Sequence, residues 1–255
     1  MALDPRLRQP RRVVAGIVTQ GVEGRPGDIG GRQAPDILGG ERTGVGITGR
    51  SLGTVFRQEI AEPLGADFHI GLPAAHDARV ADLIAPPGPP PMSGAGSTEL
   101  QANMATNPEL HVDVTRTRAW RGAEIPAAGG IGNARAVARI HAVLANGGAA
   151  GGRRLMSEAG CRRALEPQVE GVDLILGVPM RFGLGFALNA GFMPNPDTLF
   201  WGGYGGSLAI IDMAARTSLA YVMNRMSGTT TGDLRGYGLA MEFWNAEPVS
   251  GERRG

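Results

Sequence analysis

Between Ser51 and Gly65 the chain reads SLGTVFRQEIAEPLG, and Leu52, Val55, Phe56, Ile60 and Leu64 recur close to the i, i+3, i+4 spacing of one helical face. Ser51 offers an N-cap hydroxyl and Pro63 with Gly65 a stop, so the pattern predicts a helix here. GNARAVARIHAVLANGG repeats it, with Asn133 as N-cap, Val137, Ile140, His141 and Leu144 on one face, and Gly147 as terminator. The period then changes. TLFWGG, SLAIID and TSLAYVMN are short runs of β-branched, aromatic and aliphatic residues, the last two joined by MAAR as in an antiparallel hairpin. TTGDLRGYGLAMEFWNA closes the pattern as a helix despite Gly236 and Gly238, with Leu234, Tyr237, Met241 and Trp244 near helical spacing. Helices and strands are segregated rather than alternating, which predicts an α+β fold with an antiparallel sheet.

Two stretches lack either period. Residues 1–47 are rich in Gly, Arg and Pro and read as loop or poorly ordered chain. The apolar stretch from Val13 to Val18 is broken by Gly16 and ended by Thr19 and Gln20, short of a convincing signal-peptide core. IAPPGPPPMSGAGS, from Ile84 to Ser97, is too rich in Pro and Gly for regular structure and predicts a long surface loop. The expected organisation is an unrelated N-terminal segment over 1–47, a folded unit over 48–246 and a tail over 247–255.

Composition narrows the function classes. At 255 residues, 42% hydrophobic and 19% charged, the chain can bury a real core. A formal charge of +1 provides no broad field for nucleic acid or membrane, and Arg6, Arg8, Arg11 and Arg12 read as a solvated basic tail. No apolar run reaches the ~18 residues of a membrane span. The single cysteine, Cys161, excludes an internal disulfide framework and fits a reducing compartment, so the cytoplasm is expected. All 25 Lys+Arg positions are arginine. A Walker A loop is therefore excluded, and no GxGxxG sits between a strand and a helix, so no nucleotide cofactor is expected. His69, His76, His111 and His141 are dispersed without metal-ligand spacing; His69, His76 and Asp77 make the best grouping, and no metal is expected.

Gly49-Arg50-Ser51-Leu52-Gly53 fits GxSxG, the spacing of a nucleophile elbow. An elbow needs a strand before the serine and a histidine later in the chain. GVGIT is a feeble strand and no histidine follows His141. Ser51 is better explained as a helix cap, and His141, on an apolar face, as a core histidine rather than a catalytic one.

Four segments in order, TGRSLGTVFRQEIAEPLGADFHIGLP, AEIPAAGGIGNARAVARIHAVLANGG, FGLGFALN and LFWGGYGGSLAIIDMAARTSLAYVMNRM, resemble the second half of serine β-lactamase-like proteins, in the class C-type branch that includes carboxylesterases. The resemblance implies an antiparallel sheet flanked by helices with part of a helical domain, an incomplete version of that fold. It implies acyl transfer through a serine activated by a lysine in an SxxK motif, with a tyrosine from a second motif sharing the proton. A third motif lines the opposite wall and donates a backbone N–H to the oxyanion. Trp201-Gly202-Gly203 matches the WGG variant of that third motif; Tyr204 would provide the amide, Trp201 a wall, and Gly202 and Gly203 room for substrate. The other explanation for the glycines is that they only bend an edge strand.

The remaining elements of the pattern are missing. Without lysine there is no SxxK, and the first tyrosine in the chain is Tyr204. Tyr221-Val222-Met223-Asn224 has YxN spacing but falls in the last hairpin, where strand packing accounts for it. The resemblance therefore implies a truncated hydrolase, inactive alone, for a small ester or lactam ligand. A non-catalytic binding or scaffold remnant and one half of a split esterase are the alternatives. An uncompleted sheet would also leave an edge open to self-association or to a complementing chain.

Overall fold

The computed structural model describes residues 13–15, 48–88, 98–106 and 111–246. The N-terminal arginines, residues 89–97 of the proline-rich stretch and the tail after 246 lie outside the described residues.

The first element is a short strand, β1 (Val13–Ala15), within the segment expected to be loop; its Val-Val pair has the β-branched character of a strand. Helix α1 (Leu52–Phe56) follows, continues through a widened turn over Arg57–Ala61 and a last turn over Glu62–Leu64, and stops at left-handed Gly65, φ +58°. Strands β2 (Phe68–Ile70) and β3 (Val80–Ala81) come next, then helices α2 (Glu99–Thr106) and α3 (Arg118–Gly122), which the sequence pattern did not reveal. Strand β4 (Gly130–Gly132) leads into α4 (Ala134–Ala145), capped by Asn133 as expected. A small ribbon, β5 (Ala149–Ala150) with β6 (Arg153–Arg154), precedes α5 (Glu158–Arg162).

The rest is one antiparallel sheet and its closing helix. Strands β7 (Val169–Val172), β8 (Pro179–Phe182), β9 (Ala187–Leu188), β10 (Thr198–Gly202), β11 (Leu208–Asp212) and β12 (Thr217–Tyr221) pair strictly in sequence order, and α6 (Leu234–Asn245) follows. β10, β11 and β12 form two five-pair hairpin registers, from Leu199 against Ile211 to Ile211 against Ser218. Side chains alternate between two cores. Leu199 and Ile211 meet Ala145 of α4 on one face, while Phe200, Leu208 and Ile210 meet Ala240 of α6 on the other. The architecture is the α+β fold with an antiparallel sheet that segregation of elements predicts.

The helical face expected for α6 needs correction. Leu234 is 88% exposed and Met241 44%, whereas Gly236 and Ala240 are buried beside half-buried Tyr237 and Trp244. The two small residues let the helix axis approach Leu208 and Tyr221, so size rather than hydrophobicity selects the inward face.

A second, smaller sheet runs β2-β4-β1-β3, with β1 parallel to β3 and the other pairs antiparallel. Gly132 of β4 is required here, because a Cβ would overlap the Phe68 ring that crosses it. Its core of Leu72, Leu83, Ile131, Met223 and Met226 is continuous with Tyr204 and Tyr221, which joins the two sheets. No helix among the described residues is long and apolar enough to cross a membrane.

Candidate active site

Strand β10 ends at Gly202 and delivers Trp201-Gly202-Gly203-Tyr204 to the rim of the large sheet. β11 pairs with the strand to its end, whereas β9 pairs only with Leu199 and Phe200, so the motif projects beyond β9 on that side. It sits on an inner strand, which removes the edge-strand explanation of the glycines.

The turn after β10 is clamped by the segment leading into α6. Gly203 donates its N–H to Ser207 O at 2.8 Å, and its carbonyl accepts from Gly206 at 3.2 Å and Gly232 at 3.3 Å. Gly205 donates to Thr229 O and accepts from Ser227 N–H at 2.8 Å and from the Arg235 guanidinium at 3.1 Å. Arg235 also reaches Arg225 O at 2.8 Å and is held by Asp233, which caps α6 through the Arg235 N–H. Burial pushes the Asp233 pKa up, but the hydrogen bonds from Arg235 outweigh it and leave the carboxyl below its ordinary value. Among the described residues the Tyr204 N–H donates to no other backbone group of this turn.

The side chains of the motif divide between two cores. Trp201 is half-buried with its ring 5.2 Å from that of Phe182. Tyr204 packs against the Leu72–Met226 cluster, and burial raises its phenol pKa. Gly202 has a packing role of its own that the sequence did not suggest. A Cβ there would overlap the Thr231–Gly232 backbone, so this glycine admits the chain's own clamp. That neighbour is about thirty positions away, and no local signal points to it.

Ser51 sits at the N-terminus of α1. Its Oγ is 2.7 Å from Glu124 Oε1 and accepts from Thr54 N–H, while Gly53 N–H donates to Glu124 Oε2 at 2.7 Å. These contacts make it the cap of α1, pinned to the approach to β4. Glu124 is the residue sequence reasoning missed. His141 is a core residue: its Nδ1 is 2.8 Å from Val137 O, its ring meets Phe186 edge-on, and burial lowers its pKa. Tyr221 ends β12 beneath Arg235, and Asn224 O accepts from Ile84, so the YxN spacing is strand packing.

A cleft of about 400 Å³ opens between α1 and β2, lined by Arg57, Phe68, His69, Pro73 and His76 among others. The His69 and His76 rings lie 5.3 Å apart. Asp67 is paired with Arg79, and Asp77 with Arg118. Among the described residues no three His, Cys, Asp or Glu side chains gather closely enough to hold a metal ion.

A family model described as Beta-lactamase matches residues 45–240. The chain is 32% identical over 200 residues to the esterase/beta-lactamase LipL of Mycobacterium tuberculosis, covering 71% of this chain and 44% of that protein. A crystal structure of a family VIII carboxylesterase superposes with a TM-score of 0.71 at 37% identity, over 80% of this chain and 55% of the other. A penicillin-binding protein homologue from Caulobacter crescentus gives a TM-score of 0.64 at 33% identity, over 77% and 53%. The chain thus spans about half the length of these relatives.

Proposed function

The chain belongs to the serine β-lactamase-like family, and on that premise we propose that it carries the oxyanion-binding wall of a serine acyl-transfer site for esters. The supporting observation is the turn at the end of β10. Its carbonyls at Gly203 and Gly205 are held by the 227–235 segment, while among the described residues the Tyr204 N–H donates to no other backbone group of the turn. A fixed amide of this kind stabilises an oxyanion without reorganising during the reaction, and removing one such donor typically costs about 10²–10³ in rate.

The acyl-transfer chemistry that the family membership implies would use this amide as follows. A serine hydroxyl adds to the ester carbonyl, the carbonyl π electrons move onto oxygen, and the resulting oxyanion accepts from the Tyr204 N–H. Collapse expels the alcohol, which takes up the serine's proton through the general acid–base group, and water then hydrolyses the acyl-serine. Trp201, braced by Phe182, forms the wall for the acyl or alcohol group. The sequence contains no lysine, so it holds no SxxK pairing of a serine nucleophile with an amine base. The chain alone is accordingly inactive. The ester preference rests on WGG in place of KTG and on the relatives described as esterases.

Reaction of the purified 255-residue chain with a fluorophosphonate and with p-nitrophenyl butyrate tests this. No adduct and no turnover above background are expected. A covalent adduct on any hydroxyl of this chain, formed at a catalytic rate and lost on Trp201→Ala, would overturn it.

A further inference from the structure

The two edges of the large sheet differ in a way the hydrolase reading does not use. At one edge β7 carries Glu170 at its second position, beside Gly171, and its neighbour β8 begins with Pro179. A charge on an edge strand discourages further strand pairing. At the other edge β12 reads Thr-Ser-Leu-Ala-Tyr, five half-buried residues with no charge, no proline and no glycine, and among the described residues its strand partner is β11.

The helix beside that edge adds apolar surface. Gly236 of α6 faces Tyr221 of β12 and Leu208 of β11. Leu239 and Phe243 follow it by three and seven positions, so they lie on the same flank of the helix. They are 57% and 49% exposed. On the opposite face of the sheet, α4 is tied to β12 by the Ser218 hydroxyl, which donates to Ala138 O at 2.7 Å.

We infer that β12 pairs antiparallel with β12 of a second copy of this chain, with Leu239 and Phe243 of the two α6 helices meeting over the junction. The strand suits its own reverse. Paired about Leu219, it sets leucine against leucine and Thr217 against the partner's Tyr221, and places no like charges opposite one another. A two-fold axis normal to the sheet keeps both α6 helices on one face and both α4 helices on the other. It also closes the assembly at two copies, because only the guarded β7 edges remain outside. The strip is about 17 Å long. An interface of one short strand and two helix side chains is small, so the dimer is expected to dissociate on dilution.

Sedimentation equilibrium on the full chain between about 1 and 200 µM, with hydrogen exchange at both ends of that range, tests the interface. A monomer–dimer equilibrium is expected, with amides of 217–221 slowing as dimer forms. Leu239→Glu with Phe243→Glu should weaken the dimer at least tenfold while leaving the far-UV spectrum and thermal unfolding unchanged, and Val172→Glu beside the β7 edge should not. Leu219→Lys is a harsher version, interpretable where its spectrum stays native. A folded monomer throughout the range would overturn the inference. So would slow exchange of 217–221 at every concentration, which would place another segment of this chain on the edge, or a dimer that yields to Val172→Glu alone.

Discussion

The large and small sheets are built on opposite principles. In the large sheet each strand pairs with its sequence neighbour, so the β10–β11–β12 meander closes through the short connections 203–207 and 213–216. In the small sheet, strands of two or three residues are gathered from positions 13, 68, 80 and 130. Polar ties far apart in sequence hold it: Glu124 to Ser51 and Gly53, Arg118 to Leu72 O, and Leu72 N–H to Arg121 O. Local hairpins draw stability from apolar alternation across a continuous core, whereas scattered strands depend on side-chain ties that each fix a long loop. The Trp201–Tyr204 motif stands on the first kind of structure and is braced by a segment from later in the chain.

Substitutions that separate these principles are expected to act as follows. Ile211→Ala, at a fully buried position between β10 and β12, should cost about 2–5 kcal/mol in urea-induced unfolding, the largest single effect, because the cavity opens in the core shared with α4. Gly202→Ala should cost about 1–3 kcal/mol by forcing the Thr231–Gly232 backbone away, and hydrogen exchange should quicken at 203–207 and 229–232 before it does in β12. Glu124→Ala should cost about 1–3 kcal/mol by leaving the Gly53 N–H and Ser51 hydroxyl without their acceptor. Ser51→Ala should cost about 1 kcal/mol as a lost cap. The double mutant should fall short of the sum, and strict additivity would show that the two do not act as one tie.

The smallest effect is pH dependence, and each sheet has its own probe. Burial is the first cause that lowers the pKa of His69 in the small sheet and of His141 on α4 against the large one. The neutral ring is therefore the folded form. The stability this confers is complete above the ordinary value of 6.5 and lost as pH falls from there through the lowered folded value. Unfolding midpoints in urea should drop on acidification from pH 7 to pH 5. His141→Gln should flatten that slope by removing the large-sheet contribution, and His69→Gln by removing the other; a slope unchanged in both would exclude these rings as its origin.

The same division explains what could be read in advance. TLFWGG, SLAIID and TSLAYVMN lie within three residues of β10, β11 and β12, since alternation and turn residues are local. Asn133 and Ser51 cap the helices expected of them. Strands β1 to β4 were illegible because two or three residues carry no period, and α2 and α3 because polar and apolar residues alternate too irregularly along them. At the candidate site the WGG motif and its strand were visible, but the reason for Gly202 was not. The residues that occupy its missing side chain's volume approach only after α6 docks on Leu208 and Tyr221.

Sequence alone determined the segregation of helices from strands, the last hairpin, the helix caps and the absence of a lysine. Each of these is a property of residue type or of spacing within about ten positions. Tertiary structure alone decided that Glu124 receives Ser51, that small residues rather than Leu234 and Met241 turn inward on α6, and that the 227–235 segment fixes the turn bearing Tyr204. The physical reason is common to all three. Each depends on how closely two backbones far apart in the chain can approach, which is set by the packed volume between them and not by the pattern of either one.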